Sequence, residues 1–208
     1  MNTCAVIVFA KAPLPGHAKT RLAVALGDAG AALLAERMMH ATVDAAVAAD
    51  VGPVQLCVTP DSNHPAFAAA QQRHAILITH QGDGDLGERM ARAFRHVLAS
   101  HGRALLIGTD APQLDAAYLR AAAGALDGVD AVFGPAADGG YTLVGLKRPA
   151  PELFLQMRWS HDSVMSQTRQ RLAQLRLRHA ELPVLHDVDH PADLIHLPPH
   201  LMPTATKA

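Results

Sequence analysis

Four short segments of this 208-residue chain carry residue types suited to anions and hard cations. The first runs Lys11-Ala12-Pro13-Leu14-Pro15-Gly16-His17-Ala18-Lys19-Thr20-Arg21. It sets three cations within eleven residues, in a chain whose 18 Lys and Arg are balanced by 19 Asp and Glu. Glycine lets backbone N–H groups approach an anion, and a helix N-terminus supplies free donors and partial positive charge. With a helix beginning near Lys19, the residues Lys11, Gly16, Lys19 and Arg21 form a phosphate cradle. The plainer alternative is a solvated basic loop. The segment is not a Walker A loop, because Ala18 stands before Lys19-Thr20 where that motif needs glycine, and Pro13 replaces the upstream glycine.

The second segment is Gly108-Thr109-Asp110-Ala111-Pro112. A cation that carries phosphates takes one or two carboxylates and keeps several waters, and Asp110 is placed to supply one of them. Alternatively, Asp110 is a turn residue bonding its own backbone. The third, Gly134-Pro-Ala-Ala-Asp138-Gly139-Gly140-Tyr141, pairs a carboxylate with two glycines and an aromatic ring. Asp138 can orient or deprotonate an acceptor or bind metal, and Tyr141 can stack on or bond to a ligand. A Gly-Gly hairpin turn is compatible with either role. The fourth is His186-Asp187-Val188-Asp189-His190. If it is extended, Asp187 and Asp189 point the same way, and either can be a second metal ligand. His186 and His190 lack the third ligand at a recognised zinc spacing. Gln81 and Gly82, directly after an apolar run, are candidates to contact a base or ribose. No Gly-x-Ser-x-Gly elbow occurs, so metal-assisted transfer fits better than covalent catalysis.

These segments must be positioned by the elements between them. Cys4–Ala10 is a continuous Val- and Ile-rich run, as expected of a strand buried on both faces. The Ala-rich stretch from Arg21 to Ala49 is helical, with Gly27 and Gly30 predicted to split it. Further strands are expected at Pro53–Thr59, Ala75–His80, Arg103–Asp110, from Asp130, and at Tyr141–Leu146. Helices are expected at Pro65–Gln72, after a capping box at Asp85 and Glu88, after a cap at Asp115, and at Ser163–Leu177. A short helix is expected from Ala192, then an irregular tail over 197–208. Alternating strands and helices imply βαβ units and a parallel sheet with helices on both faces. The later region departs from the alternation and calls for at least one antiparallel strand. In such a sheet ligands bind beyond the carboxyl ends of the strands, which is where the first three segments fall.

Composition narrows the class. Half of the residues are apolar and only 4% are aromatic, so a single domain over 1–208 packs on Ala, Leu, Val and Met. A formal charge of −1 argues against a nucleic-acid binder. The two cysteines, Cys4 and Cys57, sit in apolar runs and are expected to be buried and reduced. No leader and no membrane span is recognisable, so a cytoplasmic protein that binds neither nucleic acid nor membrane is expected.

The ordered set FAKAPLPGHAKTRL, QGDGDLGERM, GTDAP, GPAADGGYTLVGL, the Trp159-Ser160 region and DVDHPADL resembles a bacterial family. Its members are labelled arsenosugar-biosynthesis glycosyltransferases or radical-SAM and selenodomain-associated transferases. The resemblance spans about Val6 to Leu194. It implies a glycosyltransferase-A-type, three-layer α/β/α sandwich with a mixed, mostly parallel sheet, of the nucleotide-diphospho-sugar transferase superfamily. It also implies a nucleotide near Lys11, Gly16, Lys19, Arg21, Gln81, Gly82 and Thr109. Mg²⁺ or Mn²⁺ is expected at Asp110 with Asp187 or Asp189, catalysis at Asp110 and Asp138, and a small-molecule acceptor near Gly139, Gly140, Tyr141 and Trp159. More distantly, Lys19-Thr20-Arg21-Leu22 and Asp187–Leu194 are similar to nucleotidyltransferases that act on small phosphorylated acids. The chain departs from the family pattern at Ala12, before Pro13 in the first loop, and at His161 after Ser160, where the loop bears on the acceptor pocket. A glycosyltransferase is the leading expectation, with a nucleotidyltransferase and a non-catalytic nucleotide-binding subunit as alternatives.

Overall fold

The computed structural model describes residues 3–203. Seven strands form one sheet: β1 (Cys4–Lys11), β2 (Val54–Thr59), β3 (Leu77–His80), β4 (Arg103–Ile107), β5 (Ala131–Pro135), β6 (Tyr141–Leu146) and β7 (His179–Glu181). Their order is β3-β2-β1-β4-β6-β5-β7. Strand β6 runs antiparallel to both its neighbours, and every other pairing is parallel. The chain steps outward from β1 to β3, then returns to place β4 on the other side of β1. The strand order reverses between β1 and β4, and in open α/β sheets ligands bind beyond the carboxyl ends of the strands at such a point.

Five helices cover the two faces: α1 (Ala23–Ala49), α2 (Pro65–Arg73), α3 (Leu86–Leu98), α4 (Ala116–Gly128) and α5 (Val164–Gln174). The two-residue alternation of β1 decides what each covers. Cys4, Val6, Val8 and Ala10 pack with Met39 and Val43 of α1, Phe67 of α2 and Leu119 of α4. Ala5, Ile7 and Phe9 join the other core, with Met90 and Phe94 of α3 and Met165 and Leu172 of α5. The result is the expected α/β/α sandwich. Cys4 and Cys57 are buried and free. Burial pushes the Cys4 thiol up to about 11, so it behaves as a small hydrophobe.

The capping box at Asp85 and Glu88 forms, with Glu88 N–H donating to Asp85 Oδ1 at 2.9 Å and Asp85 N–H to Glu88 Oε2 at 2.9 Å. Asp115 caps α4 through Tyr118 N–H. Other expectations need correction. Helix α1 continues through Gly30 and breaks only at Gly27, whose φ of 70° and ψ of 165° lie outside the helical region. Only a residue without Cβ takes that conformation cheaply. The helix also starts at Ala23, after a turn at Lys19–Leu22, and not at Lys19. Strand β7 was not expected. It is three residues long with mostly exposed side chains, so it carries no apolar signal, and only its pairing with β5 reveals it. A 3-10 turn at Pro151–Leu153 was likewise unforeseen.

The end of the chain is more ordered than its prolines suggest. Pro191–His196 and Pro199–Leu201 are 3-10 turns. Leu197 and Leu201, with Val188, form a third core against Leu22, Leu34 and Met38. The rest of the expected tail, 204–208, lies outside the described residues. No helix among the described residues is long and apolar enough to cross a membrane.

Leu34 is fully buried at the centre of this third core. Leu34→Ala is expected to cost about 2–5 kcal/mol, as truncating a buried leucine does. Limited proteolysis should then cut within 186–203 sooner than in the unmodified protein. An unchanged cleavage pattern would show that the segment is anchored elsewhere.

Candidate functional site

All four chemistry-bearing segments reach the carboxyl edge of the sheet. Residues 11–22 follow β1, Gly108–Asp110 follow β4, and Ala136–Gly140 form the turn between β5 and β6. The fourth arrives by an extension of β7. Past Glu181 the chain keeps alongside β5, with Leu185 N–H donating to Pro135 O at 3.0 Å and Ala137 N–H to Leu185 O at 2.9 Å. Tyr118 Oη holds Pro183 O at 2.8 Å, Gln113 Oε1 accepts His186 N–H at 3.0 Å, and Asp110 O accepts Val188 N–H at 2.8 Å. Asp187 and Asp189 are thereby delivered to the crevice.

A cavity of about 600 Å³ opens there. That volume falls in the range of small-ligand sites. Its wall includes Lys11, Lys19, Thr20 and Arg21 from the first loop, and Thr109 and Asp110 after β4. Asp138, Gly140, Tyr141 and Trp159 lie toward the other side, and both Asp187 and Asp189 line it. Gln81 lines it as well, but its amide donates to Ala10 O at 3.2 Å and Cys57 O at 3.0 Å, tying β1, β2 and the end of β3 together. Three glycines that were expected to meet ligand stand behind the wall. Gly16 makes the turn before Lys19. Gly82 packs under the Arg92 guanidinium, which donates to Gln81 O and Asp83 O. Gly139 has φ of 89°, and a Cβ there would fall 2.1 Å from Asp162 O. It brings the β5–β6 turn against the loop that carries Trp159, where Met165 N–H donates to Gly139 O at 2.8 Å.

Lys19 differs most from its expected role. Its φ is 48°, a left-handed conformation, and its side chain turns inward to 7% exposure. Its ammonium contacts Asp110 Oδ1, Asp189 Oδ1 at 2.9 Å and Val188 O at 2.7 Å. Three acceptors satisfy its three donors, so as it stands its ammonium is paired within the chain. Burial pulls its pKa down, and the two carboxylates more than offset this, leaving it above the ordinary lysine value. The cations left toward solvent are Lys11, which donates to His17 O at 2.9 Å, and Arg21, 3.4 Å from His190 Nε2.

The acidic side of the cavity outweighs its one buried cation. Asp187 is pushed up to about 7, first by burial and then by the negative charges of Asp110, Asp138 and Asp189, with Lys19 opposing. Asp138 accepts Gly140 N–H at 2.8 Å, so it closes the turn and lines the cavity at once. Among the described residues, no three His, Cys, Asp or Glu side chains converge closely enough to hold a metal ion as they stand. Asp110 and Asp189 alone share a centre, the Lys19 ammonium. Two carboxylates still fit the chemistry of a hard cation, which takes its other ligands from water and phosphate. His186 stacks on His196 at 4.2 Å and does not join them.

Toward the other end, Tyr141 and Trp159 meet edge to face with ring centroids 6.3 Å apart. Tyr141 Oη, beside Thr168, and Trp159 Nε1 are both buried without a well-formed hydrogen bond. Burial holds the Tyr141 hydroxyl well above its ordinary pKa. His17 and His161 also line the cavity and were missed in the sequence. Their signal was proximity, since His17 lies inside the basic loop and His161 follows Trp159-Ser160.

Residues 42–161, more than half of the chain, match the family described as uncharacterized protein conserved in bacteria (DUF2064). The chain belongs to this family. Among solved structures, the DUF2064 chain is similar to a protein of Desulfovibrio desulfuricans G20 provisionally designated a nucleotide-diphospho-sugar transferase. The identity is 29% and the TM-score 0.85, over 94% of this chain and 87% of that one. A nucleotidyl transferase of Methanothermobacter thermautotrophicus is 16% identical with a TM-score of 0.62, covering 97% of this chain and 98% of that one. Rv0371c of Mycobacterium tuberculosis H37Rv, in complex with manganese, is 18% identical with a TM-score of 0.52, covering 95% and 98%. These two likenesses show the fold alone. No curated protein matches the DUF2064 chain.

The electrostatics of Asp187 set a pH dependence. A carboxyl whose folded pKa is raised to about 7 from 3.8 favours folding below the lower value. That advantage is lost as pH rises through the window between them. In metal-free buffer, Asp187→Asn should therefore gain stability over the unmodified protein as pH rises from 4 to 8, on the order of 2–4 kcal/mol at the upper end. Denaturant melts across that range check it; a gain that does not grow with pH would refute the assigned charge crowding.

Proposed function

We propose that this chain is a transferase that binds a nucleotide sugar together with a divalent cation and passes the sugar to a small-molecule acceptor. The observation carrying this reading is the opposed charge of the crevice. A basic loop after β1 faces Asp110 after β4 and Asp189 across about 600 Å³ at the switch point of the sheet. Likeness to the Desulfovibrio protein over nearly the whole chain supports it.

On this reading Lys11 and Arg21 reach the phosphates, and Thr109 and Gln81 lie on the nucleotide side. Asp110 and Asp189 would hold Mg²⁺ or Mn²⁺, with Asp187 beside them. Such a cation neutralises charge developing on the leaving phosphate. Asp138 faces the acceptor, where it orients or deprotonates a hydroxyl. Gly140, Tyr141 and Trp159 form the acceptor wall. A ligand that pairs with Tyr141 Oη and Trp159 N–H relieves two buried polar groups that otherwise lack good partners. The arsenosugar and selenodomain labels rest on the sequence motifs. The site itself asks for a small acceptor with a polar handle and a face that packs on indole. The near-neutral balance of charge argues against a nucleic-acid partner, and the reading takes the enzyme as cytoplasmic and free of membrane.

A nucleotidyltransferase is the second reading. Its support is the number of cations on one loop, since Lys11, Lys19 and Arg21 also suit the greater charge of a triphosphate.

Product analysis separates the two. Release of a nucleoside diphosphate from a nucleotide sugar supports the first, and release of pyrophosphate from a triphosphate the second. A thermal-shift panel with Mg²⁺ or Mn²⁺ identifies the donor. At 100 times its dissociation constant a ligand adds about 2.7 kcal/mol, a rise of roughly 5–10 °C for a domain of this size. Asp110→Asn is expected to abolish the metal-dependent part of that shift, measured against the variant's own ligand-free melting temperature. A preserved metal-dependent shift would remove Asp110 from the cation site.

A further inference from the structure

The ammonium of Lys19 sits where two carboxylates meet, at the very centre that the proposed function gives to a divalent cation. The two cannot be there together. Placing a second positive group against Asp110 and Asp189 with the ammonium still in contact sets like charges within a few ångströms, and like charges at that range repel strongly in a partly buried site.

The position of Lys19 is built. Its backbone is left-handed, which a lysine adopts at a cost. Its side chain is almost fully buried, its donors go to Asp110, Asp189 and the Val188 carbonyl, and Val188 is itself bound to Asp110 O. Thr20 and Arg21, next along the chain, face the same cavity where Lys11 also stands. An anion entering there therefore competes with the two carboxylates for the ammonium over the reach of a single side chain.

We propose that Lys19 is a resident counter-cation. It fills the Asp110–Asp189 site in the ligand-free protein, and divalent metal enters as the phosphates of the nucleotide draw the ammonium away. Metal and nucleotide then bind cooperatively. Each raises the affinity of the other by the same factor, because the coupling is a property of the shared equilibrium. The lysine serves as a positioning residue in both states, bound to carboxylate in one and to phosphate in the other. The inference rests on the metal reading of the site.

The test is Mn²⁺ binding followed by the electron paramagnetic resonance signal of the free ion. It is run on the full chain alone and with ADP, CDP, GDP or UDP in turn. The unmodified protein should bind Mn²⁺ weakly alone and about tenfold or more tightly with the diphosphate it accepts, within the usual span of such couplings. Lys19→Met should bind Mn²⁺ about tenfold or more tightly than the unmodified protein with no nucleotide present, and nucleotide should add little. Lys19→Arg keeps the charge and should stay weak alone, which separates the loss of a cation from general loosening. Quenching of Trp159 fluorescence by Mn²⁺ gives a second readout, since this is the only tryptophan in the chain and it lines the cavity.

If nucleotide promotes Mn²⁺ binding in the unmodified protein but Lys19→Met alone gains nothing, the counter-cation role is overturned and the metal reading stands. If neither protein binds Mn²⁺ under any of these conditions, the metal reading fails and the inference falls with it. If Lys19→Met unfolds, Lys19→Gln is measured by the same titration with the same two outcomes.

Discussion

A buried ammonium must be surrounded by acceptors, because the hydration it gives up is worth far more than packing can return. Lys19 meets that demand with one carboxylate from the loop after β4 and one carboxylate and one carbonyl from near the end of the chain. Three segments far apart in sequence are thus held in register by a single charged group. The backbone of Lys19 is left-handed where it makes this contact. The contact also divides the carboxylates of the cavity wall. Asp110 and Asp189 pair with Lys19, while Asp187, buried in the field of Asp110, Asp138 and Asp189, is driven toward the neutral form.

The rest of the architecture delivers those groups. The apolar strands β1 and β4 lie at the middle of the sheet and fix the crevice beyond their carboxyl ends. Strand β7 contributes little burial of its own, but its pairing with β5 points the following residues at Asp110. The third core then fastens 188–201 onto α1 just beyond the basic loop. The two sides of the ion-pair cluster are therefore anchored to the same helix.

Much of this was legible in the sequence. Continuous apolar runs marked the central strands, and Asp85, Glu88 and Asp115 marked the helix starts that form. The rule that open parallel sheets bind ligands beyond their strand ends picked out Asp110 and Asp138, which do line the cavity, before any contact was known. What was not legible depends on long-range pairing. His179–Glu181 has no apolar period and becomes a strand only because β5 has a free edge. Lys19 looked like a phosphate ligand because local spacing shows a basic loop, whereas its partners lie 91 and 170 positions away. Gly82 and Gly139 looked like backbone openings for a ligand, yet the groups that approach them are Arg92 and Asp162 of the same chain. Glycine tells that something comes close and is silent on what.

The two ends of the cavity are built by different means, and this bears on how such a site changes substrate. The phosphate end is made of strand ends and an ion-pair cluster, so altering one residue there disturbs three segments. The other end, which the proposed function gives to the acceptor, is made by the β5–β6 turn and by the loop 155–163, which carries Trp159 and contains left-handed residues at Gln156 and Ser160. That loop is pinned where Gly139 meets Asp162 and Met165. Its changes are felt locally and leave the carboxylates and Lys19 in place. On the proposed function, the nucleotide and cation are then the fixed part of the chemistry and the acceptor the adjustable part. The underused polar atoms of Tyr141 and Trp159 agree with this, because a pocket completed by its own side chains would have paired them.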